Sequence, residues 1–217
     1  IETKLAKLKD LGIAPSTRIV KDPTEASSFM KQYVFHIAKG NTVDAERIAE
    51  NLTLLKTWEI DPDTRIVKKF SEASDFTELY VYRLKNNSVK ERLTDTLNAL
   101  DELKQLEIPL TTRFVENLNA ASNIQEQFVH AIKEDLLIAK AKILEGLQNL
   151  KKWNIDSSTR IVQNLAQANT LVDRYLFSVR YPELSRPIAE KIQTLQNWGI
   201  DPTKRIVENL AQANTLV

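Results

Sequence analysis

Apolar residues recur along this chain at steps of three and four, and the same pattern returns five times. Counted back from Arg18, Arg65, Arg113, Arg160 and Arg205, position −5 is isoleucine in every copy: Ile13, Ile60, Ile108, Ile155 and Ile200. Position −7 is Leu11, Trp58, Leu106, Trp153 and Trp198. Position −10 is always leucine, −13 is leucine or isoleucine, and −17 is isoleucine in all but one copy, which has Thr96. These steps put all the side chains on one face of an α-helix, and predict a long helix in each copy, for example over about 43–59 and 89–107.

The arginines stand 47, 48, 47 and 45 residues apart. A period of this size marks tandem structural units that bury their apolar stripes against neighbours. After each long helix comes a turn, with Asp61-Pro62, Asp156-Ser157 and Asp201-Pro202 in three copies. Aspartate caps helices and proline suits their first position, so a short helix carrying Thr-Arg-Ile-Val is expected next. Its buried positions would be Ile19-Val20, Ile66-Val67, Phe114-Val115, Ile161-Val162 and Ile206-Val207.

A third, medium helix follows from Ala26, Ala73, Ala121, Ala168 and Ala213, then Phe29, Phe76, Ile124, Leu171 and Leu216, then Tyr33, Tyr80, Phe128 and Tyr175. Thr24 and Ser71 read as its N-caps, with Pro23 as a break before it. Gly40-Asn41 and Asn86-Asn87-Ser88 read as its end. The expected fold is therefore all-α: a right-handed α-solenoid of about four and a half three-helix repeats, running as one continuous array over residues 1–217. Neither end reads as a polar capping repeat, so a longer parent array is expected. The nine residues Asn164–Val172 recur unchanged at Asn209–Val217, which points to unit duplication or to a deliberately built end.

Composition narrows function by exclusion. The 217 residues carry 30 basic and 29 acidic side chains, which excludes a strongly basic arm or an acidic tail but not a local stripe. There is no cysteine, so neither disulfides nor thiolate metal sites arise. No apolar run approaches the ~18 residues of a membrane span. No signal peptide is evident, and the cytoplasm is the default compartment.

The architecture resembles that of HEAT and armadillo arrays over the whole chain, a likeness that transfers no site residue. The stretch Leu8–Pro23, LKDLGIAPSTRIVKDP, also resembles the mitochondrial transcription termination factor repeat, in which Leu-x-x-Leu-Gly-Ile precedes an Ile-Val helix and a proline. Only Pro23 stands at that proline; Phe70, Leu118, Leu165 and Leu210 replace it elsewhere. That resemblance implies nucleic-acid binding.

Three sets of residues are candidates for function. The row Arg18, Arg65, Arg113, Arg160 and Arg205 could form a cationic ladder for a phosphate backbone, or a set of structural ion pairs to neighbouring units. A second row, Lys39, Lys85, Lys133 and Arg180, falls near the end of the medium helix, where cations meet the helix dipole. His36, Arg83, Ala131 and Ser178 share one register and vary, as do Phe35, Tyr82, His130 and Phe177 before them; such positions either read a partner or line a solvated face. The tryptophans exchange with leucine and read as core. No Walker, G-x-S-x-G or G-x-G-x-x-G motif is present, the two histidines lie in different copies, and neither an enzyme nor a cofactor or metal is expected. The sequence thus points to a non-enzymatic scaffold for a protein or peptide partner on a concave face, with nucleic-acid binding as the alternative. It implies no membrane and no small-molecule substrate.

Overall fold

The computed structural model describes residues 2–86 and 90–206. All regular structure among them is helical. The α-helices are α1 (Glu2–Asp10), α2 (Phe29–Lys39), α3 (Thr42–Thr57), α4 (Phe76–Lys85), α5 (Lys90–Gln105), α6 (Ile124–Lys133), α7 (Leu137–Lys152), α8 (Leu171–Ser178) and α9 (Pro182–Asn197). The residues fall into two compact units, Ile1–Thr111 and Thr112–Val217. The boundary lies within the third copy, between its long helix and its Thr-Arg segment.

In the first unit the medium helix α2 packs on the long helix α3, and α4 packs on α5. The stripe read from the sequence forms the core: Ile48, Leu52, Leu55 and Ile60, and Thr96, Leu100, Leu103 and Ile108, are all buried. In the second unit α6 packs on α7 and α8 on α9, with Ile143, Leu147 and Leu150 buried. Tyr33, Tyr80, Phe128 and Tyr175 are each no more than 2% exposed, so the aromatic of every medium helix anchors its own unit. Each such ring removes 150–250 Å² from water, at about 25 cal/mol per Å².

Every long helix ends alike. The residue at −6 takes a left-handed backbone: Gly12, Glu59, Glu107, Asn154 and Gly199, with φ between 55° and 71°. The isoleucine at −5 then donates its N–H back to the leucine carbonyl at −10, or its equivalent Leu195, at 2.8–2.9 Å. This 6→1 bond is the Schellman stop, and it drives the isoleucine back onto the helix. Glutamate at φ 57° carries a Cβ penalty that glycine lacks. Glu59→Gly is therefore expected to raise stability by about 1 kcal/mol, read from chemical denaturation. The lost Glu59–Lys104 ion pair, 3.3 Å long with an 83%-exposed carboxylate, offsets little of this.

Two expectations need correction. Thr-Arg-Ile-Val forms no short helix among the described residues; Thr17–Val20, Thr64–Val67, Thr112–Val115 and Thr159–Val162 are extended, and a 3₁₀ turn follows at Pro23–Glu25, Phe70–Glu72 and Leu165–Gln167. Val67 and Val115 are buried, Ile66, Phe114, Ile161 and Val162 are half-buried, and Ile19 is 53% exposed. The extended segment is held by the preceding copy. Ile66 donates its N–H to the Ser27 carbonyl, Ile161 to Ser122 and Ile206 to Asn169, each at 2.7 Å and each in the same register. An antiparallel bridge between Asn123 and Arg160 belongs to the same clip. Three β-branched residues in four lose little by being extended and would lose χ1 freedom in a helix.

The medium helix also starts four residues later than expected. Its N-caps are Ser28, Asp75, Asn123 and Thr170, each accepting from the backbone inside the first turn. Thr24 and Ser71 sit instead inside the 3₁₀ turns. Val207, Ala213, Leu216 and the second nonapeptide lie outside the described residues, as does the expected stop at Asn87-Ser88.

Candidate functional site

The arginine row divides by its partners. Arg65 donates from Nε and Nη2 to the two carboxylate oxygens of Glu78, at 2.9 Å each. Arg113 grips Glu126 in the same fork, at 2.8 and 3.0 Å. Both acids lie thirteen residues after their arginine, in the same copy, at the third position of the medium helix. There they also cap the chain: Glu78 accepts from the Ser74 N–H and hydroxyl, and Glu126 from the Ser122 N–H. The carboxylate thus joins the extended segment to the helix start, where negative charge also meets the helix dipole favourably.

This acidic column was missed in the sequence, although it stands at a constant distance from the arginines: Lys31, Glu78, Glu126 and Asp173. Asp173 is one methylene shorter and turns back onto the Asn169 and Thr170 N–H groups, forming a capping box. Lys31 replaces the acid altogether and pairs at 3.0 Å with Asp63 of the following copy. Among the described residues, Arg18 and Arg160 have no carboxylate within ion-pair distance. Both are exposed, as is Arg205.

Hydrogen bonds from Arg65 and Ser74 outweigh burial and hold the Glu78 carboxyl below its ordinary 4.5. At Glu126 burial pushes upward, but the bonds from Arg113 and Ser122 prevail and the net shift is again down. Groups with folded values below their unfolded ones contribute stability above pH 4.5 that is lost as pH falls through the folded value. Thermal midpoints should therefore fall more steeply below pH 4.5 in the parent chain than in a Glu78→Gln/Glu126→Gln variant. Parallel pH–melting curves would show a loss of slope in the variant.

The second cationic row divides between contacts to the preceding copy and contacts within its own. Lys85 donates to the Gln32 amide oxygen at 3.3 Å, and Arg180 donates to Asn119 at 2.8 Å. Lys133 pairs with Glu134 and lies 5.2 Å from the Phe114 ring centroid, and Lys39 lies over Phe35. The variable register points inward. Ala131 and Ser178 are buried, Arg83 donates to the Arg92 carbonyl and the Thr96 hydroxyl, and His36 lies 3.7 Å from Asp44. Arg83 and His36 thus reach the long helix that follows, while Ser178 bonds the Arg174 and Tyr175 carbonyls of its own helix. His130 is buried and donates from Nδ1 to the Val115 carbonyl, an acceptor-only partner that fixes the tautomer.

The tryptophan register is uneven. It coincides with the helix C-cap, so coverage depends on the segment lying beyond it. Trp153 is buried against Tyr175, edge to face at 4.8 Å between centroids, while the Asn149 amide donates to the Tyr175 hydroxyl. Trp58 is half-buried beneath the Lys104 ammonium. Trp198 is 72% exposed, against the expectation of a core residue. In the first copy Leu11 takes the place of tryptophan, and beside it opens a cavity of about 240 Å³ between α1, α2 and α3.

Among the described residues no three histidine, cysteine or acidic side chains gather to hold a metal ion. No helix there is long and apolar enough to cross a membrane. The chain matches no protein-family model, no curated protein and no solved structure.

Proposed function

We propose that this chain is a non-enzymatic helical-repeat scaffold, a right-handed α-solenoid in its finer architecture, that holds a protein or peptide partner. The fork between Arg65 and Glu78, repeated at Arg113 and Glu126, carries this reading. It commits two arginines of the row to holding their own copies together, and it neutralises them. Exposed apolar side chains supply contact area for a protein partner: Ile19, Phe70, Leu165 and Trp198 are each about half exposed or more.

A second reading, nucleic-acid binding, is favoured by Arg18 and Arg160, which have no acid partner among the described residues. One experiment separates the two. Retention on heparin and on single- and double-stranded DNA and RNA is compared at two salt concentrations, alongside selection from a displayed peptide library. Enrichment of apolar peptides with weak, salt-insensitive retention supports the scaffold. Strong retention that collapses with added salt overturns it, because counterion release gives phosphate binding its salt dependence.

A further inference from the structure

The cavity in the first unit lies where the second unit keeps an indole ring. Leu11 and Tyr33 stand in the registers of Trp153 and Tyr175, at −7 and +15 from their arginines. In the second unit the Trp153 ring packs edge to face with Tyr175, and Trp153 is buried. In the first, leucine leaves the tyrosine with an open apolar groove of about 240 Å³, floored by Leu11, Tyr33 and Ile37 and walled by Ala45 and Ala49 of α3. An apolar cavity of about 150 Å³ accepts benzene, so this one has room for a bicyclic ring. The alanines keep the α3 wall low, and the Tyr33 body is buried, with only 2% of it exposed.

We propose that this groove receives an aromatic side chain of indole size presented by a peptide partner. The occupant's chemistry is set by Trp153, which shows which ring this fold packs against a tyrosine in that register. The rim completes the match. Asp10 and Glu46 are among the lining residues, and carboxylates are acceptors for an indole N–H, which can only donate. Lys7, in the register of Asn149, also lines the groove and brings a donor side chain to it. The proposal deepens the scaffold reading and rests on it for the partner's class.

The test titrates the full chain with indole, N-acetyl-tryptophanamide and N-acetyl-alaninamide, followed by calorimetry and by NMR shifts of residues around Tyr33. Both aromatic probes should bind and the alanine probe should not. Leu11→Trp should fill the groove with the ring found in the second unit, weakening probe binding at least tenfold while raising the melting midpoint. Ala49→Leu, which raises the opposite wall, should weaken binding independently should Leu11→Trp fail to fold. Absence of aromatic binding in the parent chain, or equal binding in both variants, overturns the proposal. Binding of indole but not of N-acetyl-tryptophanamide also overturns it, since the groove would then admit a free aromatic but no side chain on a backbone. A chain that binds both aromatic probes yet selects no peptide from a library refutes the scaffold reading and leaves the aromatic groove standing.

Discussion

Phe128→Ala is expected to destabilise the second unit by about 3–5 kcal/mol, the range for deleting a fully buried ring. Phe128 is 1% exposed on α6, which packs against α7. Its removal costs the transfer free energy of the ring and leaves a cavity that helices pinned at both ends cannot close. Those pins are the Asn123 cap at one end of α6 and the left-handed Asp135 stop, with φ 52°, at the other. Chemical denaturation should show the midpoint falling with little change in slope. Ile138→Ala is the control. Ile138 is equally apolar but 77% exposed, so its loss should fall within about 0.5 kcal/mol of zero. Equal losses in the two variants would show that Phe128 does not anchor this core.

Gly146→Ala is expected to destabilise by about 1–2 kcal/mol, although alanine is the better helix former by about 1 kcal/mol. A Cβ at Gly146, inside α7, would overlap the Val179 methyl and come within 2.7 Å of the Ile124 terminal carbon. Gly146 and Val179 are buried and Ile124 is wholly so, leaving no solvent into which a neighbour could swing. Over-packing therefore outweighs helix propensity. Adding Val179→Ala removes the overlapping methyl and should recover much of the loss, so the two substitutions should be strongly non-additive in a double-mutant cycle. Additive losses would place the cost outside this contact.

The corrections share one physical cause. Thr-Arg-Ile-Val follows a capping aspartate and reads as a helix start when only its own residues are considered. What holds it extended is a carbonyl in the previous copy, as in Ile66 to Ser27, some forty residues away. The N-cap moved for a similar reason. Thr24 and Ser28 are both competent caps, as are Ser71 and Asp75, and the choice falls to the one directly before a ring that must be buried, Phe29 or Phe76. The Arg65–Glu78 fork was closer to legible, since a thirteen-residue spacing recurs at Arg113 and Glu126. Because the intervening backbone turns twice, no helical or strand periodicity flags it. The variable register does not mark a solvated face: Arg83 reaches Arg92 and Thr96 on the next long helix, Ala131 is fully buried, and the buried Ser178 turns its hydroxyl onto the Arg174 and Tyr175 carbonyls of its own helix.

By itself the sequence determined the helical class, the repeat and the buried stripe, because steps of three and four on a helix are local geometry that needs no knowledge of the partner surface. The helix stop at Ile13, Ile60, Ile108, Ile155 and Ile200 is just as local, its bond closing within six residues, but the three-and-four periodicity reads those isoleucines as a continuation of the helical face. Tertiary structure alone decided which arginines are neutralised, which tryptophan is covered and where a cavity opens. Each of those turns on groups brought together from distant parts of the chain, where one side chain's length, as with Asp173 against Glu126 or Leu11 against Trp153, settles whether a contact forms.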